Sequence, residues 1–403
     1  MQYHLHIPKL QEEYGDFIRT GPREITVIRA SAVDLIYGPS SKCTKATWYD
    51  QNSGDPNKVG IENVRDKEKH RIRRRAWDRG MGLRALSTYE SRIKNKVDSL
   101  MLRFGAGEPV DVTQDVIFYA WDVMGDIAFS VDFQMLHTGV EHPAVDGLHW
   151  AMATAGLVTN FPWLMNMLRV IPGATGRFQK FADWCYEQVD LKRDALAREK
   201  AEGRAQEPRD VMSWIIKAQQ DGDRSAPPTE SAIREDARTL ISAGSDTVAI
   251  AFTNFQKIPY IDHLIHETLR LRPPAPMGFL RETPPAGLQV DDVFIPGGVN
   301  VNVPTWTIQR DERYFSRALD FVPERWEAPS AESATAYLAF QRGPFQCSGK
   351  AVAMMQMRML VSCVALRYNL AFAPGEDGEE FWKGAKETMT LWLPPLRMVF
   401  EPR

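Results

Sequence analysis

Cysteine is scarce in this 403-residue chain: four occur, Cys43, Cys185, Cys347 and Cys363, and no two form a C-x-x-C pair. Neither a disulfide framework nor a zinc knuckle is therefore encoded, and a reducing compartment is the default. Long apolar runs are missing too. No stretch approaches the ~18 consecutive apolar residues of a membrane span, and the polar start from Met1 to Tyr14 lacks a signal-peptide h-region. Nor is there an excess of positive charge: a net charge of -3 excludes a globally basic nucleic-acid binder while leaving room for a local basic face. There is no G-x-G-x-x-G dinucleotide fingerprint, no internal repeat or low-complexity tract, and no Pro/Ser-rich linker between domains.

What is present is a 44% hydrophobic chain able to bury a large core. Residues 16–29 alternate like paired strands around Gly21-Pro22, after which helical periodicity dominates from 65 to 256. Capped starts and Gly or Pro stops place helices near 91–104, 112–128, 143–157, 174–198, 209–219 and 229–255. A further helix at 260–271 stops at Pro273-Pro274, and short β-prone runs follow at 278–281, 288–295 and 299–304. The expected architecture is mainly α with a small β subdomain (α+β). One domain would span 1–403, its β-rich part drawn from about 16–29, 278–304 and 388–400.

Four constellations carry chemistry. The segment Phe340-Gln-Arg-Gly-Pro-Phe-Gln-Cys-Ser-Gly349 isolates Cys347 in a Gly-punctuated loop that feeds a helix. Gly343 and Gly349 permit a tight turn and close approach of a flat cofactor, and a helix N-terminus facing the sulfur favours the thiolate. A buried free cysteine is the alternative. Ala243-Gly-Ser-Asp246-Thr247 lies mid-helix, where Gly and Thr both lower helix propensity. Gly244 would admit a ligand to the backbone, and Thr247 would hydrogen-bond where the helix is loosened; a kink packed for its own sake is the alternative. Glu267 and Arg270 sit three apart on one helical face, with Arg325 downstream in Phe321-Val-Pro-Glu-Arg-Trp326. Lys67, Lys69, His70, Arg71, Arg73, Arg74, Arg75 and Arg79 form the densest basic run, which reads as a solvated helix face or, less simply, as a nucleic-acid module. The aromatic and Met-rich stretch 161–168 reads first as core packing, with a peripheral membrane contact as the other reading.

Together these residues resemble the cytochromes P-450, and the wording is most similar to fungal microsomal members. Phe340, Gly343, Cys347 and Gly349 match the haem-binding signature, except that Phe345 stands where the family carries Arg or His. The resemblance implies a cytochrome P-450-like fold, a haem b cofactor with Cys347 as axial thiolate, and His70, Arg74 and Arg281 on the haem propionates. It also implies proton delivery by Asp246 and Thr247, and a structural cluster of Glu267, Arg270 and Arg325. The activity implied is monooxygenation of a lipophilic small molecule in secondary metabolism, terpenoid metabolism included. Electrons would come from NADPH through NADPH-cytochrome P-450 reductase, with cytochrome b5 as an optional second donor docking on the basic face; no nucleic-acid partner is implied. Location would be the cytosolic face of the endoplasmic reticulum membrane, although Met1 falls just before the first catalytic-domain helix with no anchor ahead of it.

One departure is larger. Thr247 and Glu267 stand 20 positions apart, where the family has several dozen more residues, and the join falls at Phe255-Gln-Lys-Ile258. The distal helix should thus be shortened and the next helix lost, with weak folding or a rearranged distal helix as the consequence. The alternative function is accordingly a non-catalytic or poorly folded product of a shortened gene model that keeps the haem-binding loop.

Overall fold

Asp111 starts the central helix, Val112–Phe129, by accepting from the backbone N–H groups of Thr113 and Gln114 at 3.0 and 3.2 Å. Ser130, in the left-handed region at φ 59°, ends it. Between these caps the helix is apolar almost all round, which is the pattern of an element surrounded by others. Phe118, Tyr119 and Trp121 are fully buried within it, and truncating such an aromatic typically costs about 3–5 kcal/mol. Helices Leu83–Phe104, Gly176–Ala201, Val211–Gln220 and Glu230–Thr253 pack around it in one hydrophobic cluster. The computed structural model describes residues 2–52, 55–105, 107–158, 167, 171, 173–203, 207–253 and 261–403. Apart from Met167, the stretch 161–168 lies outside the described residues, as does the join 255–258.

Helix starts follow the local chemistry. The helix expected from 91 begins at Leu83 instead, because Gly82, extended at φ -80° and ψ 169°, lets it start directly after the basic helix Lys67–Met81. Ala85, Leu86 and Tyr89 then continue the buried stripe upstream of Ile93. Asp66 caps the basic helix by accepting from Lys69 N at 2.8 Å, and its acidic neighbour Glu68 suits the positive helix end.

Strands form a separate corner. One sheet has the order Phe17–Gly21, Glu24–Val27, Asn300–Asn302, Arg281–Glu282, Thr44–Lys45. Its Val27 and Val301 enter a second cluster with Val33 and Ile36 of the helix Ala30–Ile36. The C-terminal residues expected to share this subdomain lie in other sheets. Arg397–Pro402 pairs with Tyr368–Phe372 and Val110–Asp111, while Lys386–Glu387 pairs with Leu391–Trp392. The reason is local: Phe400 stacks on Phe104 at 4.0 Å, which fixes that strand against the helical body. Among the described residues no helix is long and apolar enough to cross a membrane.

Candidate functional site

The helix Lys350–Arg367 begins at Gly349, two residues beyond Cys347. Upstream the loop is closed by Cys347 N donating to Phe340 O at 2.9 Å and Gln346 N to Gly343 O at 3.1 Å. Gly343 has φ +67°, and a Cβ there would collide with the backbone of Tyr37 and Gly38, so both conformation and packing require glycine. Gly349 is different. Its φ is ordinary, and an added Cβ would meet only Cys347 Sγ, at 3.9 Å, so the space above it is open. Phe340 anchors the loop by packing with Ile265, Leu269, Met354 and Met357 between two helices.

Cys347 is exposed to solvent, yet protein atoms crowd the thiol enough that desolvation decides its titration. Desolvation raises the pKa of the thiol, while the Gly349 and Lys350 N–H groups, Arg74 and the Lys350 charge lower it, and desolvation is the largest of these causes. The helix-end effect is present with the predicted sign, and it is outweighed.

Around this loop the structure gathers cations from three separate elements. Arg74, on the basic helix, donates from Nη1 to Gln346 O at 2.7 Å and from Nε to Asp78 at 2.6 Å. His70, one turn earlier, is buried with its ring 4.7 Å from that of Phe345, edge to face. Arg281, on the sheet, is also buried, its guanidinium 5.0 Å from the Phe345 centroid. Lys45, which no motif flagged, lies 4.7 Å over the same ring. Burial, followed by the charges of Lys45, Arg74, Arg73 and Arg281, pulls His70 down to about 2, so the imidazole is neutral. His70 Nδ1 and Arg281 Nε are buried without a hydrogen-bond partner among the described residues. The Nε–H of Arg281, without a partner among the described residues, and the Arg74 guanidinium beside an open glycine suit a flat ligand with carboxylate arms.

Three more arginines of the basic run are engaged in ion pairs, one in the interior and two at the surface. Arg73 pairs with Asp236 at 2.9 Å in the interior, Arg79 with Asp223 at 3.1 Å, and Arg71 with Glu68 at 2.5 Å. Of the run, Lys69, Arg71 and Arg75 are exposed. The run therefore does not present one continuous basic face.

Glu267 is fully buried and surrounded by donors. Arg270 gives it two bonds of 2.9 Å, and Arg325 Nε, Trp326 Nε1 and Val322 N add 3.0, 3.0 and 2.8 Å. Burial pushes its pKa up, but the Arg270 bonds and charge, the Val322 N–H and the Arg325 charge outweigh it, and the net shift is downward. Trp326 was missed as a partner, although it directly follows Arg325 in sequence. The neighbouring His263, His266 and Glu267 make no zinc site: His266 Nδ1 is 3.0 Å from Tyr337 Oη, and no cluster of metal-ligating side chains occurs among the described residues.

On the long helix, Gly244 does not open toward a ligand. A Cβ there would lie 2.6 Å from Met124 Sδ, so the glycine serves close packing on the central helix. Nor is the backbone loosened: Glu230–Thr253 is unbroken, and Thr247 Oγ1 donates to Ala243 O at 2.7 Å. The Asp246 side chain lies outside what the structure describes. A separate cavity of about 330 Å³ lies between helix Pro143–Val158 and the hairpin at 386–392, walled by Ile117, Trp150, Met152, Leu391 and Trp392 among others.

Comparison with known proteins adds to this geometry. The family model described as Cytochrome P450 matches residues 1–255 and 249–399 in two pieces, which overlap at 249–255. The chain is 60% identical over 286 residues to "Cytochrome P450 monooxygenase eupD" of Phoma sp, covering 62% of this chain and 100% of that protein. It is 31% identical over 434 aligned positions to "Cytochrome P450 monooxygenase FCK2" of Fusarium pseudograminearum, covering 98% and 77% of the two chains. It is also 31% identical to "Tryprostatin B 6-hydroxylase" of Aspergillus fumigatus, over 98% of this chain and 75% of the relative.

Proposed function

The chain belongs to the cytochrome P450 family, and on that premise we propose that it is a haem-thiolate monooxygenase placing one oxygen atom of dioxygen in a lipophilic substrate. The observation that carries this reading is the convergence of His70, Arg74 and Arg281, from two distant parts of the chain, on the loop that presents Cys347. Haem fits these groups: Cys347 Sγ would hold the iron, and Arg74 and Arg281 with the neutral His70 would take the propionates. When bound, haem supplies dioxygen activation; the protein supplies orientation, protons and exclusion of water.

Phe340, Gly343 and Gly349 shape the loop, while Glu267, Arg270 and Arg325 fix the segment at 316–326 against the helix that supports Phe340. These three are structural in this proposal. Thr247 Oγ1, which spends its hydrogen on Ala243, retains lone pairs to accept from a water, and Asp246 beside it in sequence would feed protons to that water. With a relative named a hydroxylase, hydroxylation in fungal secondary metabolism, including terpenoid metabolism, is the proposed setting.

Electrons would arrive from a separate NADPH-dependent reductase, with cytochrome b5 as a second donor, over the face bearing Lys69 and Arg75. The endoplasmic reticulum membrane is the proposed location. The test is reconstitution with reductase, NADPH and candidate terpenoids. A thiolate-type Soret band in the reduced carbon monoxide complex and a product heavier by one oxygen are expected; a haem-loaded chain lacking that band would sink the proposal.

A further inference from the structure

Strand Thr44–Lys45 pairs antiparallel with Arg281–Glu282 so that Lys45 lies directly opposite Arg281. Both side chains are buried, and both reach the ring of Phe345, Lys45 Nζ at 4.7 Å and the Arg281 guanidinium at 5.0 Å from its centroid. Like charges directly opposed across two strands repel, and burial strengthens the repulsion by removing the water that would screen it. Lys45 Nζ donates to the carbonyls of Ile61 and Glu62, at 3.2 and 2.6 Å, which satisfies hydrogens without neutralising charge. The carboxylate of Glu62 offsets part of it, yet that group is itself engaged by Arg238 at 2.9 Å and by Thr239. The face of an aromatic ring offsets a little more. Burial, then Arg281, still drags the Lys45 ammonium well below its ordinary value. Arg281 Nε and His70 Nδ1, beside it, have no partner among the described residues. Two opposed buried cations thus share one aromatic face, and the Nε–H of Arg281 is left to donate to an acceptor from outside the described residues.

We propose that Lys45 is a cofactor-anchoring cation that takes the place of the basic side chain absent at Phe345, its ammonium and Arg281 together holding a haem propionate. Phe345 then acts as a spacer that sets both cations at one height beside the Cys347 loop. The assignment rests on the haem reading above. It also explains why a lysine is kept at a buried edge where methionine would pack without the charge.

The test uses the full chain loaded with haem, following haem transfer to excess apomyoglobin. Lys45→Met should release haem at least ~10-fold faster than the wild type, the range of a lost charge-assisted hydrogen bond. The thiolate-type carbon monoxide band should survive in the fraction still loaded, and the double variant K45M/F345R should recover slow release. With haem dimethyl ester, whose propionates carry no charge, wild type and K45M should release at the same rate. A purely structural lysine would instead speed release of haem and ester by the same factor, and that result overturns the proposal. Equal retention of haem by wild type and K45M overturns it alone; a wild type that takes up no haem overturns the monooxygenase reading with it.

Discussion

Arg74 donates from Nη1 to the carbonyl of Gln346 at 2.7 Å, which ties the basic helix to the residue immediately before Cys347. A charged donor on a backbone carbonyl contributes about 1.5–3 kcal/mol, and here it also points the guanidinium at the loop. Arg74→Ala should weaken haem uptake by roughly 10-fold or more, with Arg74→Lys intermediate because the planar fork is lost. Haem titration of the apo chain measures this, and unchanged half-saturation would argue against the tether.

Cys347→Ala should abolish the thiolate-type carbon monoxide band and the oxygenation of any substrate. Because residue 347 as a whole is exposed and its side chain makes no hydrogen bond that holds the fold, the same change should shift the stability of the apo chain by no more than about 0.5 kcal/mol. Urea unfolding of both apo proteins separates loss of ligation from loss of fold. A large drop in midpoint would mean that the thiol also holds the loop.

Glu267→Gln should cost about 3–5 kcal/mol, since it leaves two arginines beside a neutral group in the interior. The pH dependence has a definite sign. Glu267 titrates below the ordinary glutamate value when folded, so its contribution is fully present above about pH 4.3 and is lost as pH falls through the lower folded value. Wild-type stability should thus have a steep acid limb there that E267Q flattens. Unfolding curves between about pH 3 and 7 test it, and parallel limbs in both proteins would exclude Glu267 as the cause.

Gly244→Ala sets two effects against each other. Alanine is favoured over glycine by about 1 kcal/mol within a helix, but the new Cβ meets Met124 Sδ at 2.6 Å. Overpacking typically costs about 1–3 kcal/mol, so the single variant should be neutral to moderately destabilised. Adding Met124→Ala should then cost less in the G244A background than in the wild type. Strict additivity in a thermal double-mutant cycle would remove the packing explanation.

The family resemblance implies that helical segments are shortened at 255–258, and a chain with fewer packing partners should have low intrinsic stability. Haem binds only the folded chain, so a saturating excess of ~1,000 Kd should add about 4 kcal/mol. Differential scanning with and without haem should show a low apo midpoint and a large upward shift. An apo chain melting as high as the loaded one would contradict this.

Helices were legible wherever an apolar stripe ran between chemical stops, as in Val112–Phe129, whose Asp111 cap and apolar run fix it locally. Leu83–Phe104 was only half legible, because Gly82 reads as a stop although its extended backbone starts a new helix. The β-prone ends misled in another way: pairing partners such as Val110–Asp111 and Arg397–Pro402 are nearly the whole chain apart, and alternation does not name a partner.

The sequence by itself determined the chemistry on offer: one cysteine in a glycine-framed loop, a Glu-Arg helix with a later arginine, and a basic run from Lys67 to Arg79. Spacing along one helix or loop carries that information because local geometry is fixed by the backbone. Only the tertiary structure decided which charges remain free. It spent Arg73 on Asp236, filled the gap above Gly244 with Met124, raised the Cys347 thiol by desolvation, and set Lys45 opposite Arg281 over Phe345. Pairing, burial and desolvation depend on which distant residues arrive at the same place, and no local pattern in a chain encodes that.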